Sequence, residues 1–158
     1  MFRSKIYHKI IDLLNNGETK PVHEEETELF TGTNILVVED NDINYEIVST
    51  LLDMHGIVCQ RAENGKIAYE MIKENGIDEP FDLIFMDIQM PVMNGLDATR
   101  AIRKLNFDYA KNIPIIAMTA DAFSENVVEC LEAGMNAHIA KPIDIKLVLA
   151  EIKKNLNK

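Results

Sequence analysis

The stretch Asn34-Ile35-Leu36-Val37-Val38-Glu39-Asp40-Asn41 decides how the rest of the chain is read. A short apolar run rich in Val stops abruptly at an acidic pair. Runs of this kind, without strict alternation, suit a central strand covered on both faces. Four more follow at Ile57–Arg61, Asp82–Met86, Ile113–Met118 and Ala137–Ala140. Amphipathic stretches alternate with them, which is the pattern of repeated βα units closing into a parallel sheet. Five strands are predicted, in an α/β domain.

Working outward, Ile43, Ile47 and Leu51 recur every fourth residue, as do Ile67 with Met71 and Ala98 with Ile102. These spacings predict helix stripes. Asn64 is expected to cap the second helix, Gly76 and Gly134 to end helices in the left-handed conformation, and Asp144 to cap a last helix carrying Ile145, Val148, Leu149 and Ile152. No output domain is expected after it. Residues 1–33 read as an N-terminal helix (Ile6, Ile10, Leu13, Leu14) followed by an acidic linker, and residues 34–158 as one domain. The leading segment is either a solvated, frayed tail or the trailing end of an upstream module or dimerising helix.

Composition narrows the function. The 158 residues are 47% hydrophobic and 27% charged, so a packed fold is expected. Sixteen Lys plus Arg stand against 26 Asp plus Glu, a formal charge of −10 that should repel nucleic acid and anionic membranes. Cys59 and Cys130 lie far apart without CxxC spacing, which predicts buried free thiols in a reducing compartment. Apolar runs such as Ile113–Met118 are too short to span a bilayer and the N-terminus lacks a signal-peptide core, so a cytoplasmic protein is expected.

In an open parallel sheet, ligands collect beyond the carboxyl ends of the strands. The first strand ends in Glu39-Asp40, the third in Asp87, the fourth in Thr119 and the fifth in Lys141, so five polar groups should arrive at one edge. Three carboxylates there repel one another unless a hard divalent cation neutralises them, and Mg²⁺, with Mn²⁺ as a substitute, meets that need. Asp87 would then offer a carboxylate oxygen as nucleophile to a phosphoryl group. Lys141, the Thr119 hydroxyl and the Ala120 N–H would balance the oxygens of that group. Taken singly, each residue has an ordinary explanation, since strand-end acids often cap helices and a Lys-Pro pair often marks a turn. Their order along one edge favours the functional reading.

The stretches Leu36-Val37-Val38-Glu39-Asp40-Asn41, Met86-Asp87-Ile88-Gln89-Met90-Pro91-Val92-Met93-Asn94-Gly95, Ala117-Met118-Thr119-Ala120 and Ala140-Lys141-Pro142 resemble the response-regulator receiver family. The resemblance covers about residues 34–156. It implies a flavodoxin-like, doubly wound sheet in the order 2-1-3-4-5 with five flanking helices. Position by position it also implies roles: Asp87 as phosphoacceptor, Asp40 as a direct Mg²⁺ ligand, Glu39 as a ligand acting through water, and Gln89 as a ligand through its backbone carbonyl. Thr119 and Lys141 match the phosphoryl-binding pair, and Pro142 a position that commonly follows a cis bond. His138 falls where the family usually has Tyr or Phe, which departs from the family's switch residue. Wording around Glu39-Asp40-Asn41 and Asn44 is similar to receivers of hybrid sensor kinases and multistep phosphorelays. The implied partner is a histidine kinase or histidine phosphotransfer domain docking near Ile43 and Ile47, and a homodimer is allowed.

The expected function is therefore a phosphorelay receiver that catalyses its own phosphorylation and turns over no external metabolite. A phosphorylation-independent binding module is the alternative. An Asp-type phosphatase would want a second acid two residues after the nucleophile, where this chain has Gln89, and no GxGxxG follows the first strand to favour a dinucleotide enzyme.

Overall fold

The computed structural model describes residues 30–120 and 124–156, so the helix and linker expected in residues 1–33 lie almost entirely outside the described residues. The described chain runs β1 (Asn34–Val38), α1 (Asp42–Asp53), β2 (Val58–Ala62), α2 (Gly65–Asn75), a 3-10 turn (Gly76–Asp78), β3 (Leu83–Asp87), α3 (Gly95–Arg103), α4 (Asp108–Asn112), β4 (Ile115–Thr119), α5 (Ser124–Ala133), β5 (Ala137–Ala140) and α6 (Ile145–Leu156). All four strand pairings are parallel, in the order β2-β1-β3-β4-β5, as expected. Each predicted strand is present to within two residues at either end.

Alternation along the strands sorts the core into two layers, because successive side chains leave a strand on opposite faces. Leu36, Val38, Ile84, Met86, Ile115 and Ala117 pack on α2 and α3 through Ala68, Ile72, Ala98 and Ile102. Ile35, Val37, Leu83, Phe85, Ile116 and Met118 pack on α1 and α6 through Val48, Leu52, Val148 and Ile152. Each such fully buried aliphatic side chain contributes about 1.5–3 kcal/mol relative to exposure. Among the described residues, no helix is long and apolar enough to cross a membrane.

Two local expectations need correction. Six helices flank the sheet among the described residues rather than five, because the five-residue α4 is too short to print a stripe in the sequence. Gly134 does stop α5 at φ +109, with Met135 N–H donating to Cys130 O in a Schellman closure, but Gly76 has φ −62. α2 runs straight into the 3-10 turn, and the left-handed residue is Glu79 at φ 48. Gly76 is small for another reason: the Phe107 ring occupies the space a Cβ would need. The Ile43, Ile47, Leu51 stripe is helical as expected, with Ile43 and Ile47 on the outer side of α1. Val48 and Leu52 are the buried residues of α1, while Ile43 and Ile47 are 68% and 50% exposed.

The caps hold where expected. Asn64 Oδ1 accepts from Ile67 N–H, and Asp144 Oδ1 from Lys146 N–H. Both cysteines are free, Cys130 buried and Cys59 partly so.

Candidate functional site

The parallel register brings the strand ends level. Val38 lies beside Ala62 and Met86, Asp87 beside Met118, and Thr119 beside Ala140, so whatever follows β1, β3, β4 and β5 meets at one edge. Glu39 extends the ladder by one step, its N–H donating to Ala62 O. Asn41 then caps α1 by accepting from Asn44 N–H, which turns the chain away and leaves Glu39 and Asp40 at the corner. On β3, Gly95 lies so close to the Asp87 carbonyl that any Cβ would collide with it, and the Gly95 N–H donates to Ile88 O. This contact folds the Gln89–Asn94 loop back over the end of the strand.

An open cavity of about 230 Å³ lies at this edge. Glu39, Asp40, Asp87, Gln89, Thr119, Ala120 and Lys141 all line it, so every expected site residue converges except His138, which is partly exposed on β5 and is not among the lining residues. Asn41 and Asn44 also line it. In the sequence they stood out only through the wording shared with phosphorelay receivers, with no role in the site assigned to them.

Oxygen atoms of Glu39, Asp40 and Asp87 lie within 4.8 Å of one another. Glu39 is 1% exposed and Asp87 5%, whereas Asp40 is open to solvent. Lys141 Nζ donates to Glu39 Oε2 at 2.9 Å and stands 3.3 Å from Asp87 Oδ2. The Gln89 N–H donates to Asp87 Oδ1 at 3.3 Å. Burial, and then the neighbouring Glu39 charge, push the Asp87 carboxyl up to about 6, with Lys141 opposing them. For Lys141, burial works against the charge, but the Glu39 hydrogen bond and the charges of Asp87 and Glu39 outweigh it and hold the ammonium above its usual value.

Thus one ammonium faces three carboxyl groups, and the excess negative charge is left at the cavity. Its donors are hard oxygens, few in number and open on one side, a set that fits a divalent cation retaining part of its water shell. The Lys141–Pro142 bond is cis. Lys141 N–H donates to Thr119 O at 2.8 Å, so the ends of β4 and β5 are fastened together beside the cluster.

Comparison with known proteins agrees with this geometry. The family described as response regulator receiver domain matches residues 35–153. The chain is 43% identical over 121 residues to hybrid signal transduction histidine kinase M of Dictyostelium discoideum, and 41% identical over 126 residues to the osmosensing histidine protein kinase SLN1 of Saccharomyces cerevisiae. These matches take in 76% and 77% of this chain but only 5% and 10% of the two kinases. Among solved structures, the magnesium-bound receiver domain of a Pseudomonas aeruginosa sensor histidine kinase superposes with a TM-score of 0.72 at 31% identity, covering 81% of this chain and all of that one. The receiver of Saccharomyces cerevisiae Ssk1, crystallised with the histidine phosphotransfer protein Ypd1, gives 0.68 at 30% identity, covering 79% and 89%.

Proposed function

The chain belongs to the response-regulator receiver family of two-component and phosphorelay signalling, and on that premise we propose that Asp87 accepts a phosphoryl group from a phosphohistidine of a partner protein. The observation that carries the reading is the buried Asp87 carboxylate, which shares one cavity with Glu39, Asp40 and the Lys141 ammonium. An Asp87 oxygen attacks phosphorus as the P–N bond to the imidazole breaks. The leaving ring nitrogen keeps the bonding pair and takes a proton from solvent. A carboxyl held near 6 is mostly ionised at neutral pH, so the nucleophile is available.

Glu39, Asp40, Asp87 and the Gln89 carbonyl would hold Mg²⁺ or Mn²⁺. Bound there, the ion supplies positive charge to the oxygens of the transferring group. Lys141, now shared between Glu39 and Asp87, supplies a second positive charge, and the Thr119 hydroxyl and Ala120 N–H supply donors. Recruiting Lys141 and Thr119 to a phosphoryl group pulls on the joined ends of β4 and β5. Thr119, His138 and the segment from Ser124 to Ile152 are the elements proposed to carry the change outward.

The proposed partner is a histidine kinase or a histidine phosphotransfer domain on the cytoplasmic side of a signalling system. Exposed Ile43 and Ile47 support a docking surface on α1, since Ile43 adjoins Asn44 at the cavity mouth. Intact-mass measurement after incubation with a small phosphodonor tests the chemistry. One phosphoryl group is expected on the wild type with Mg²⁺, and none without the cation or on Asp87→Asn. Equal labelling of Asp87→Asn, or continued partner signalling by it, would refute the reading. Ile43→Asp with Ile47→Asp should block transfer from a phosphotransfer domain while leaving the small-donor reaction intact.

A further inference from the structure

Arg61, near the end of β2, plays no part in the chemistry proposed above, yet it touches the frame of the acidic cluster at three points. Its Nε donates to Glu39 O and its Nη2 to Asp40 O, both at 3.1 Å. Nη1 pairs with Asp42 Oδ1 at 2.7 Å, and the guanidinium stands over the Tyr45 ring, 5.1 Å from its centroid. The same two residues whose carbonyls it holds, Glu39 and Asp40, present the carboxylates that meet Asp87 within 4.8 Å.

Two neighbouring acids at the end of a strand would splay apart under mutual repulsion. A planar fork that engages both their carbonyls fixes the peptide orientation and so the direction of each carboxylate, while bringing one positive charge to the corner. β1 and β2 are joined by register only as far as the Glu39 N–H to Ala62 O bond, so beyond that point the Arg61 fork continues what the ladder began.

We propose that Arg61 is a positioning residue for divalent-cation binding, its guanidinium fork holding the Glu39–Asp40 backbone so that both carboxylates converge on Asp87. The inference rests on the reading of this cluster as a cation site. A residue that merely ties α1 to β2 would act on stability alone, and the cation affinity separates the two roles. Outer residues that orient metal ligands change affinity by about 10–100-fold when removed, and a carbonyl clamp belongs at the lower end.

The test is calorimetric titration of the full chain with Mg²⁺ alone, together with thermal unfolding in the absence of cation. Arg61→Gln should weaken Mg²⁺ binding about tenfold. Arg61→Lys keeps the charge but cannot reach both carbonyls, and should stay well below the wild type. Asp42→Asn removes the ion pair and leaves both carbonyl bonds, so its affinity should remain within about twofold of the wild type. Should Arg61→Gln fail to fold, Tyr45→Leu removes the ring beneath the guanidinium and should weaken binding about threefold. Three results would overturn the proposal: unchanged affinity with a lowered melting temperature in Arg61→Gln, or in its stead unchanged affinity in Tyr45→Leu; full recovery in Arg61→Lys; or a loss in Asp42→Asn equal to that in Arg61→Gln. A wild type that takes up no Mg²⁺ would overturn the cation reading itself, and the proposal with it.

Discussion

At the carboxyl edge of the sheet, Glu39, Asp40 and Asp87 face a single ammonium and remain short of positive charge. At the amino edge, Arg103 is partly buried with its donors spoken for: Nε donates to Gly134 O, Nη1 to Ala110 O and Nη2 to Asn136 Oδ1, at 2.9–3.0 Å. Asn136 Oδ1 accepts in turn from Ile115 N–H. Burial lowers the Arg103 guanidinium to about 10 and raises Asp87 to about 6, so each pays a desolvation cost. The difference lies in what surrounds them. Neutral carbonyls complete Arg103, whereas further acids crowd Asp87. A buried charge that its own fold completes is structural, and one that its fold leaves uncompleted awaits something from outside.

The comparison can be broken most decisively by exchanging effects between the two edges. Asp87→Asn should abolish phosphoryl uptake entirely by intact mass, while Arg103→Ala should retain it once folded. Arg103→Ala, in turn, takes the donor from the Gly134 and Ala110 carbonyls and should lower stability by about 2–4 kcal/mol in urea unfolding, with Mg²⁺ affinity unmoved. A stable Arg103→Ala would show that its bonds are dispensable.

A pH profile sharpens the contrast further. Because the folded Asp87 carboxyl holds its proton up to about 6, above its ordinary value, its contribution to stability is fully present at low pH and is lost as pH rises through that region. The cation-free wild type should therefore be less stable at pH 8 than Asp87→Asn, by about 2 kcal/mol, and saturating Mg²⁺ should close the gap. A gap that persisted at high Mg²⁺ would mean that the cation does not bind against Asp87. The smallest effect concerns Val92, exposed in the loop after β3 with φ 71, a conformation that costs a β-branched residue about 1–2 kcal/mol. Val92→Gly should raise stability by up to about 1 kcal/mol by calorimetry, since glycine's greater unfolded-state freedom offsets part of the relief.

The carboxyl edge was legible in the sequence because short apolar runs announce strands and the residue after each run must emerge at the same end of a parallel sheet. Glu39, Asp40, Asp87, Thr119 and Lys141 were thus located by position alone, and all of them line the cavity. What escaped was whatever depends on contacts across the chain. Arg61 and Arg103 bind main-chain carbonyls, which carry no residue identity, so no pattern betrays them. Periodicity in α1 gave the helix but not which stripe faces inward, since Ile43 and Ile47 are as apolar as Val48 and Leu52. Gly76 looked like a stop signal and is instead a space for Phe107.

The bond from Lys141 to Glu39 joins residues 102 positions apart. Until the last βα unit docks, the acids of β1 and β3 have no amine to meet, and a chain cut before residue 141 would carry the nucleophile without its counter-charge. Closing a span of that length carries an entropy cost that short-range contacts do not. Under the function proposed above, competence to receive a phosphoryl group would then report that the last βα unit has docked.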